Sequence, residues 1–257
     1  MRAILTYHSI DESGSPISCH PDAFDRHVRW LASGRVEVVP LDTLVGLPDT
    51  ADAVALTFDD AFVNFAGEAE PRLRAAGLPS TLFVVSDRAG RTNAWQGAAD
   101  PGIPVLPLLD WPELRRLTGH DVSLGAHSCT HRDLTTLSPP EIEDEVLGSA
   151  ATIERETGMR PTAFAYPYGH VDLRTAAVVG RAFRHACTAD FRVLGAEADL
   201  RLLPRLDAYY FQSPGRLDAW GTRAFETFVT RRRRLRYVRG RALAVARRLR
   251  VSLTGGL

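Results

Sequence analysis

Residues 54–60 of the chain read VALTFDD. The first five residues are apolar or β-branched, a pattern that predicts a buried β-strand over Val54–Phe58. Two adjacent carboxylates, Asp59 and Asp60, follow directly. Because parallel α/β folds carry their active-site loops at the carboxyl ends of the strands, the Asp pair is a candidate functional site. By itself the pair equally indicates a turn or a helix cap.

Short apolar runs alternate with helical patterns through some two hundred residues around this segment. The alternation predicts an α/β fold in which crossover helices link parallel strands, with roughly seven β/α units. The predicted strands are Ala3–Tyr7, Val36–Pro40, Val54–Phe58, Ser80–Val85, Val122–Ala126, Thr162–Ala165 and His185–Thr188.

The helical pattern is clearest over Ser138–Thr157, where Ser138 and Glu141 have the spacing of a capping box. A second helical stretch, Phe65–Ala76, ends at a glycine that suits a left-handed cap. The segment Asp87–Asp110 is too long for an ordinary connection, so we predict a functional loop there. It makes Trp95 a candidate site residue.

The composition is that of an ordinary globular protein: 257 residues, 45% hydrophobic and 24% charged. The length suits one main domain, and no apolar stretch reaches the roughly eighteen residues that a transmembrane helix needs. Cys19, Cys129 and Cys187 lack the spacing of a disulfide framework or a thiolate zinc site, so we expect them to be reduced. Since the N-terminus lacks a secretory pattern, we expect a cytoplasmic protein.

The formal net charge of zero conceals an asymmetry along the chain. Ten of the 31 basic residues lie in Arg231–Arg250, which leaves 21 basic against 31 acidic groups in residues 1–230. Apolar residues recur at helical spacing among these arginines, which predicts an amphipathic helix. This tail either packs on the acidic body or contacts an anionic membrane surface. We expect no nucleic-acid partner.

Residues 125–131 read GAHSCTH and follow another predicted strand. His127 and His131 are four residues apart with small residues between them, so both imidazoles can converge on one divalent ion. With one carboxylate of the Asp pair they leave coordination positions open, as in catalytic metal sites. Alternatively, one histidine caps the turn and the other is exposed. Cys129 is either a further soft ligand or, as we expect, a small packed residue.

Residues 164–169 read FAYPYG, also after a predicted strand. Pro167 and Gly169 fix a tight turn that can aim a backbone N–H into a site and hold a developing oxyanion. Turns of this composition are common, so the segment gains meaning only from the two other motifs.

Together these motifs resemble the polysaccharide deacetylase family, the NodB-homology enzymes of carbohydrate esterase family 4. The resemblance covers roughly residues 1–210 and implies a distorted, TIM-barrel-like (β/α) barrel of seven parallel strands. We assign residues 1–228 to a catalytic domain of this kind and residues 229–257 to the Arg-rich tail. The matching segments are YHSI (7–10), TFDD (57–60), HSCTH (127–131), FAYPYG (164–169) and LPRLD (203–207).

The resemblance implies hydrolysis of an N-acetyl group on an amino-sugar carbohydrate, with water activated by a divalent ion. Asp60, His127 and His131 match the metal ligands. Asp59 matches the catalytic base, and Tyr168 matches the residue whose backbone N–H joins the oxyanion hole. Zinc is the expected ion, although such ligands also accept cobalt, nickel or manganese.

The sequence departs from the family pattern in its C-terminal part. Leu-x-His and Asp-x-x-Asp-Trp motifs are absent, and Ala165 replaces the arginine usual before the third-motif proline. These departures resemble the exopolysaccharide branch of permuted enzymes that deacetylate poly-N-acetylglucosamine, whose acid histidine lies on the N-terminal strand. His8 matches that position, and His170 is the reserve candidate.

Arg205 and Asp207 either orient Asp59 or the acid histidine, or form an ordinary salt bridge. Two other functions stay open: a metal-independent C–N hydrolase of the same fold, and a non-catalytic carbohydrate-binding protein held at a membrane by the tail. For the deacetylase we expect a substrate met inside the cell, at the inner face of the membrane.

Overall fold

The structure is a computed structural model that describes residues 1–118 and 121–254, with the side chains of the last helix described as far as Val238. Backbone contacts group the chain into two compact units, Met1–Asp218 and Ala219–Leu257. The functional division proposed from the sequence, at residues 228 and 229, stays a prediction.

The first unit alternates strands and helices along its length. Its strands are β1 (Arg2–Tyr7), β2 (Ser9–Ile10), β3 (Ser18–Cys19), β4 (Glu37–Val38), β5 (Ala53–Phe58), β6 (Ser80–Val84), β7 (Val122–Ala126), β8 (Ala163–Ala165), β9 (His185–Cys187) and β10 (Leu206–Asp207). Its α-helices are α1 (Pro21–Leu31), α2 (Leu41–Gly46), α3 (Glu70–Ala75), α4 (Trp111–Leu117), α5 (Pro139–Thr157) and α6 (Leu173–Ala182).

The main sheet is parallel, in the order β10-β1-β5-β6-β7-β8-β9, with the short β4 beside β5. It curls toward closure through the segment 203–207. Leu203 bridges Cys187 of β9, whereas Leu206 pairs with Leu5 of β1. The predicted distorted barrel of parallel strands is therefore confirmed.

Side chains alternate between the two faces of β5, as the period of two requires. Ala53 and Ala55 pack with Ile4, Phe83 and Cys187 from other strands, which identifies the inner face of the curled sheet. Phe58 instead stacks on Tyr7 toward α1. The same alternation carries Thr57 and Asp59 to the inner face.

The predicted elements differ from the structure mainly at their ends. The strand expected over Val36–Pro40 is reduced to β4 because Pro40 serves as the N-cap of α2. The stretch expected as a helix over Phe65–Ala76 begins as a π-helical turn, Phe65–Ala69, before α3. Pro71 accounts for this, because its ring excludes a regular α-helical bond to the preceding turn.

The capping box predicted for the long helix is confirmed. The Ser138 side chain and the Glu141 carboxylate satisfy each other's backbone N–H groups at the start of α5, and Gly158 ends the helix with a φ of +73°. This fixes α5 against the sheet, where it supports the loop after β7.

The second unit contains α7 (Arg223–Thr254). Among the described residues, no helix has the length and apolarity to cross a membrane. Leu235, Tyr237 and Val238 are each more than half exposed.

Candidate active site

Three predicted ligands converge at the carboxyl edge of the sheet. Asp60 follows β5, and His127 and His131 follow β7. All three are buried. Both Nε2 atoms lie 3.5 Å from Asp60 Oδ1, and one donor atom from each residue falls within 4.8 Å of the others. The structure thus brings together the side chains that the motifs had paired.

Left-handed backbone makes this convergence possible. Alternation along β5 directs Asp59 into the barrel and would turn Asp60 away. A φ of +72° at Asp60 and +59° at Ala61 redirects the chain there. Ser128 and His131 also have a φ of +63°. Such conformations are costly for residues with a side chain and concentrate at functional sites.

One hydrogen bond sets the tautomer of His127. Its Nδ1 lies 2.7 Å from the carbonyl oxygen of Ala165. Because a carbonyl only accepts, Nδ1 carries the proton, and the lone pair of Nε2 faces Asp60. Metal-binding histidines are oriented in this way by a partner on the other ring nitrogen.

The donor set of these residues fits a divalent cation. Burial, and then the adjacent Asp59 charge, raises the pKa of Asp60 well above its ordinary value. In the described part of the chain, Asp60 Oδ1 has no hydrogen-bond partner. Burial lowers the pKa of His127 to about 4 and the pKa of His131 well below its ordinary value. The negative charge of Asp60 is thus unfavourable at this buried position, and a divalent cation held together with the two neutral imidazoles would stabilise it.

Arg205 holds the second carboxylate of the Asp pair. Its Nη1 and Nη2 donate to Oδ1 and Oδ2 of Asp59 at 2.6 and 2.7 Å, and its Nε donates to the Thr188 carbonyl at 3.1 Å. Burial alone raises the pKa of Asp59, but the charge and hydrogen bonds of Arg205, together with His127 and His8, outweigh burial and hold that pKa well below its ordinary value. Asp59 is therefore an ionised carboxylate beside the three candidate ligands.

His8 faces the same carboxylate from the end of β1. Its Nε2 lies 3.7 Å from Asp59 Oδ2, and about a quarter of the side chain (24%) is exposed. The reserve candidate, His170, is more than half exposed and lies with Nδ1 2.7 Å from Asp133 Oδ2. The role of either histidine as an acid stays a prediction.

The third motif forms the tight turn that its composition suggested. Pro167, Tyr168 and Gly169 make one 3₁₀ turn, with Tyr168 at a φ of +59° and Gly169 at +71°. A Cβ on Gly169 would lie 2.3 Å from the Cβ of Ala189, so only glycine fits. The Tyr168 ring meets the His131 ring edge-on at 4.7 Å between centroids. The turn therefore borders the three ligands.

The remaining predicted residues lie around this centre. Asp207 accepts a hydrogen bond from the backbone N–H two residues further on and caps a 3₁₀ turn. The Cys129 thiol donates to the carbonyl of Asp144 in α5 and is not one of the three clustered ligands, in agreement with a small packed residue. Trp95 stacks on His131.

Glu145 supports the histidine loop and was not singled out from the sequence. Its Oε2 accepts from the N–H groups of Cys129 and Thr130 at 2.9 Å each, and its Oε1 accepts from the Thr130 hydroxyl. A signal existed, because Glu145 is three residues from Ile142 on the apolar face of α5. A carboxylate on such a face needs a buried partner.

The fold and the cluster define a (β/α) barrel with a candidate metal site at the carboxyl edge of its strands. The family model described as "Polysaccharide deacetylase" matches residues 47–183, more than half of the chain. The chain belongs to the polysaccharide deacetylase family.

Two relatives illustrate the range of sequence similarity. "Putative polysaccharide deacetylase YxkH" of Bacillus subtilis is 24% identical over 177 residues, which cover 67% of this chain and 58% of the relative. "Chitin deacetylase 1" of Cryptococcus neoformans is 27% identical over 138 residues, covering 54% of this chain and 25% of the relative. The chain thus spans less than two thirds of the length of either relative.

Two solved structures share the fold. The Streptococcus pyogenes deacetylase PplD in complex with acetate has a TM-score of 0.67 and 22% identity, covering 80% of this chain and 91% of that one. IcaB from Ammonifex degensii has a TM-score of 0.69 and 19% identity, covering 85% and 93%. At this level of identity the likeness shows the fold alone.

Proposed function

We propose that this protein is a metal-dependent hydrolase that removes N-acetyl groups from a carbohydrate containing amino sugars. One observation carries the proposal: an ionised Asp59, held by Arg205, lies beside the buried residues Asp60, His127 and His131, whose donor atoms converge within 4.8 Å of one another. The family membership and the relatives named polysaccharide or chitin deacetylase support the same reaction class.

Asp60, His127 and His131 would hold the ion. When bound, a divalent cation lowers the pKa of a water molecule and polarises the amide carbonyl of the substrate. Zinc is the expected ion, and cobalt, nickel or manganese would suit the same ligands.

Asp59 is the base in this proposal. Each of its oxygens accepts one hydrogen bond from Arg205 and keeps a lone pair, so the carboxylate can still take a proton from the attacking water. His8 then gives a proton to the leaving nitrogen, and the Tyr168 N–H stabilises the oxyanion. The C–N bond breaks, and one water and one N-acetyl group become acetate and a free amine.

The substrate class follows from this chemistry and from the family. An N-acetylated amino sugar, as part of an oligosaccharide, polysaccharide or sugar conjugate, presents the amide that the site would cleave. The exopolysaccharide branch remains the proposed relationship, because His8 matches the acid of that branch. The location inside the cell and the membrane contact of the tail stay predictions.

Acetate release tests the proposal. We expect the zinc- or cobalt-loaded protein to release acetate from chitooligosaccharides or fragments of poly-N-acetylglucosamine. Asp59→Asn lowers the rate by roughly a hundred- to ten-thousand-fold while keeping its metal. Asp25→Asn, the same change at a half-exposed residue of α1 that pairs with Arg29 and Arg72, serves as the control. Full activity of the Asp59 variant would contradict the mechanism, and acetate release that survives complete metal removal would favour the metal-independent hydrolase.

A further inference from the structure

We infer that Trp95 is a positioning residue that fixes the ring of His131 for metal binding by stacking on it. The two ring planes are 25° apart and their centroids are separated by 4.4 Å. The inference rests on the proposed metal site. It gives the long segment 87–110 a function that the sequence pattern left open.

The two histidine ligands are oriented by different means. His127 is fixed by the hydrogen bond from Nδ1 to the Ala165 carbonyl. The corresponding Nδ1 of His131 is buried and, among the described residues, has no hydrogen-bond partner. Its imidazole instead contacts two aromatic rings. It stacks on Trp95 and makes an edge-on contact with Tyr168.

Trp95 supports the ligand rather than the sugar. Its side chain is only 7% exposed, so it offers no open face on which a sugar ring can stack. The indole packs in an apolar cluster with Phe62, Val85 and Leu108, which restricts its rotamers. The Arg88 guanidinium also donates to the backbone carbonyl of Trp95. The position of the indole is therefore set by groups other than His131.

The segment that carries Trp95 is anchored next to the third ligand. Leu108 bridges Phe62 in antiparallel register, the Val63 N–H donates to the Pro107 carbonyl at 3.0 Å, and the Leu109 N–H donates to the Ala61 carbonyl at 2.9 Å. Residues 61–63 directly follow Asp60 in the chain. The segment thus connects the backbone beside Asp60 to the ring of His131.

A second set of contacts keeps the segment itself in shape. Asn93 Nδ2 donates to the Pro104 carbonyl at 3.0 Å, and Asn93 Oδ1 accepts from the Leu106 N–H at 2.8 Å. Thr92 bridges Pro107 in antiparallel fashion. Residues 92 and 93, just before Trp95, are thereby paired with residues 104–107, which follow it.

The experiment measures metal binding without substrate. Co²⁺ is titrated into the metal-free full chain in the presence of a competing chelator, and both the dissociation constant and the visible absorption spectrum are recorded. Loss of a group that orients a ligand weakens metal binding by about 10- to 100-fold. We expect that loss, with an altered spectrum, for Trp95→Leu. Trp95→Phe keeps an aromatic face and should stay within about threefold of the wild type.

Trp111→Leu, at the start of α4, is the matched control and should bind Co²⁺ as the wild type does. Should Trp95→Leu not fold, fluorescence keeps the inference testable. Bound Co²⁺ quenches a tryptophan on a ligand ring, so Trp95→Phe should lose most of the metal-dependent quenching, whereas Trp111→Phe should keep it.

The outcomes separate this inference from the proposed function. Wild-type affinity and spectrum in a folded Trp95→Leu variant, or unchanged quenching in Trp95→Phe, overturns the role of Trp95 and leaves the proposed function intact. A wild-type protein that binds no Co²⁺ or Zn²⁺ overturns both. An equal loss in Trp95→Phe and Trp95→Leu, with both folded, also contradicts stacking as the cause.

Discussion

Arg205 donates one hydrogen bond from each terminal nitrogen to the Asp59 carboxylate, and each of the two side chains is only 4% exposed. A buried bidentate pair of this kind fixes the carboxylate in one orientation. It also holds Asp59 ionised against the cost of burial. The resemblance implies an arginine two residues before the third-motif proline, where this chain has Ala165. Here the guanidinium comes from Arg205, the residue directly before β10.

Removing that guanidinium should change the pH dependence of catalysis. Without Arg205, the cost of burial raises the pKa of Asp59, and a protonated Asp59 cannot act as base. We expect Arg205→Met to move the acidic limb of the kcat/KM profile to higher pH and to lower the free energy of unfolding by about 3–5 kcal/mol. Arg205→Lys, which keeps the charge but not the fork, should show a smaller shift. An acidic limb at the wild-type pH in Arg205→Met would contradict this role.

The identity of the acid can be tested by two matched substitutions. Replacing His8 by Asn removes the imidazole whose Nε2 lies 3.7 Å from Asp59 Oδ2, so kcat should fall by roughly a hundredfold or more, and the basic limb of the pH profile should disappear. His170→Asn changes an exposed ring paired with Asp133 and should leave kcat within about threefold. The reverse pattern would make His170 the acid.

Glu145 should matter for metal binding although it is not a ligand. Glu145→Ala removes the acceptor of two partly buried backbone N–H groups in the loop between His127 and His131. Each unsatisfied donor costs about 1–3 kcal/mol, and the loop that carries His131 loses its anchor. Urea denaturation should show the lower stability, and chelator competition should show weaker zinc binding. Glu143→Ala, an exposed residue of the same helix, is the control and should change neither; if Glu145→Ala binds zinc as tightly as the wild type, the anchoring role is wrong.

His27 makes stability depend on pH. Its Nδ1 accepts from the Tyr7 hydroxyl, and its Nε2 donates to the Phe211 carbonyl. Burial lowers the pKa of His27 to about 4, although the Phe211 carbonyl partly opposes this. The neutral ring therefore contributes stability that is fully present above the unfolded pKa near 6.5 and is lost as the pH falls through 4.

The comparison with His27→Gln isolates this contribution. Other buried histidines titrate equally in both proteins, so they cancel in the difference between the two unfolding free energies. As the pH is lowered from 6.5 to well below 4, the unfolding free energy of the wild type should fall by up to roughly 3 kcal/mol relative to that of His27→Gln. A difference that is constant over this range, measured by urea denaturation, would show that His27 does not titrate in the folded protein as described.

The Arg-rich tail leads to a separate prediction. Deleting residues 231–257 removes ten arginines, so binding to vesicles containing anionic lipid should weaken strongly, and the difference should decrease at high salt. Vesicles of neutral lipid are the control. Equal sedimentation of the full chain and the truncated protein with anionic vesicles would favour a tail that only packs.

Local pattern was enough to predict the main elements of the barrel. The apolar runs that became β1, β5, β6 and β7 lie in buried strands, where hydrophobic patterning dominates. It failed for β10, because a two-residue strand has too few residues for a pattern and is defined by its pairing with β1.

The site shows the same division. The motifs named the clustered Asp60, His127 and His131, since these residues stand in short segments at strand ends. The hydrogen-bonded residues Arg205 and Asp59 are 146 positions apart in the sequence, and Glu145 is 16 positions from Cys129, whose N–H donates to it. Such contacts depend on which faces the tertiary fold brings together, so sequence spacing alone could not fix their geometry.

The metal content of the purified protein, compared with that of His127→Ala, tests the proposed metal site without any knowledge of the substrate. After incubation with zinc or cobalt and removal of free ion, we expect about one divalent ion per chain in the wild type, because the three donor side chains converge in the folded protein. The His127→Ala protein, folded as judged by circular dichroism, should retain almost none. No bound metal in the wild type after incubation with zinc, cobalt, nickel or manganese would contradict a metal site formed by Asp60, His127 and His131.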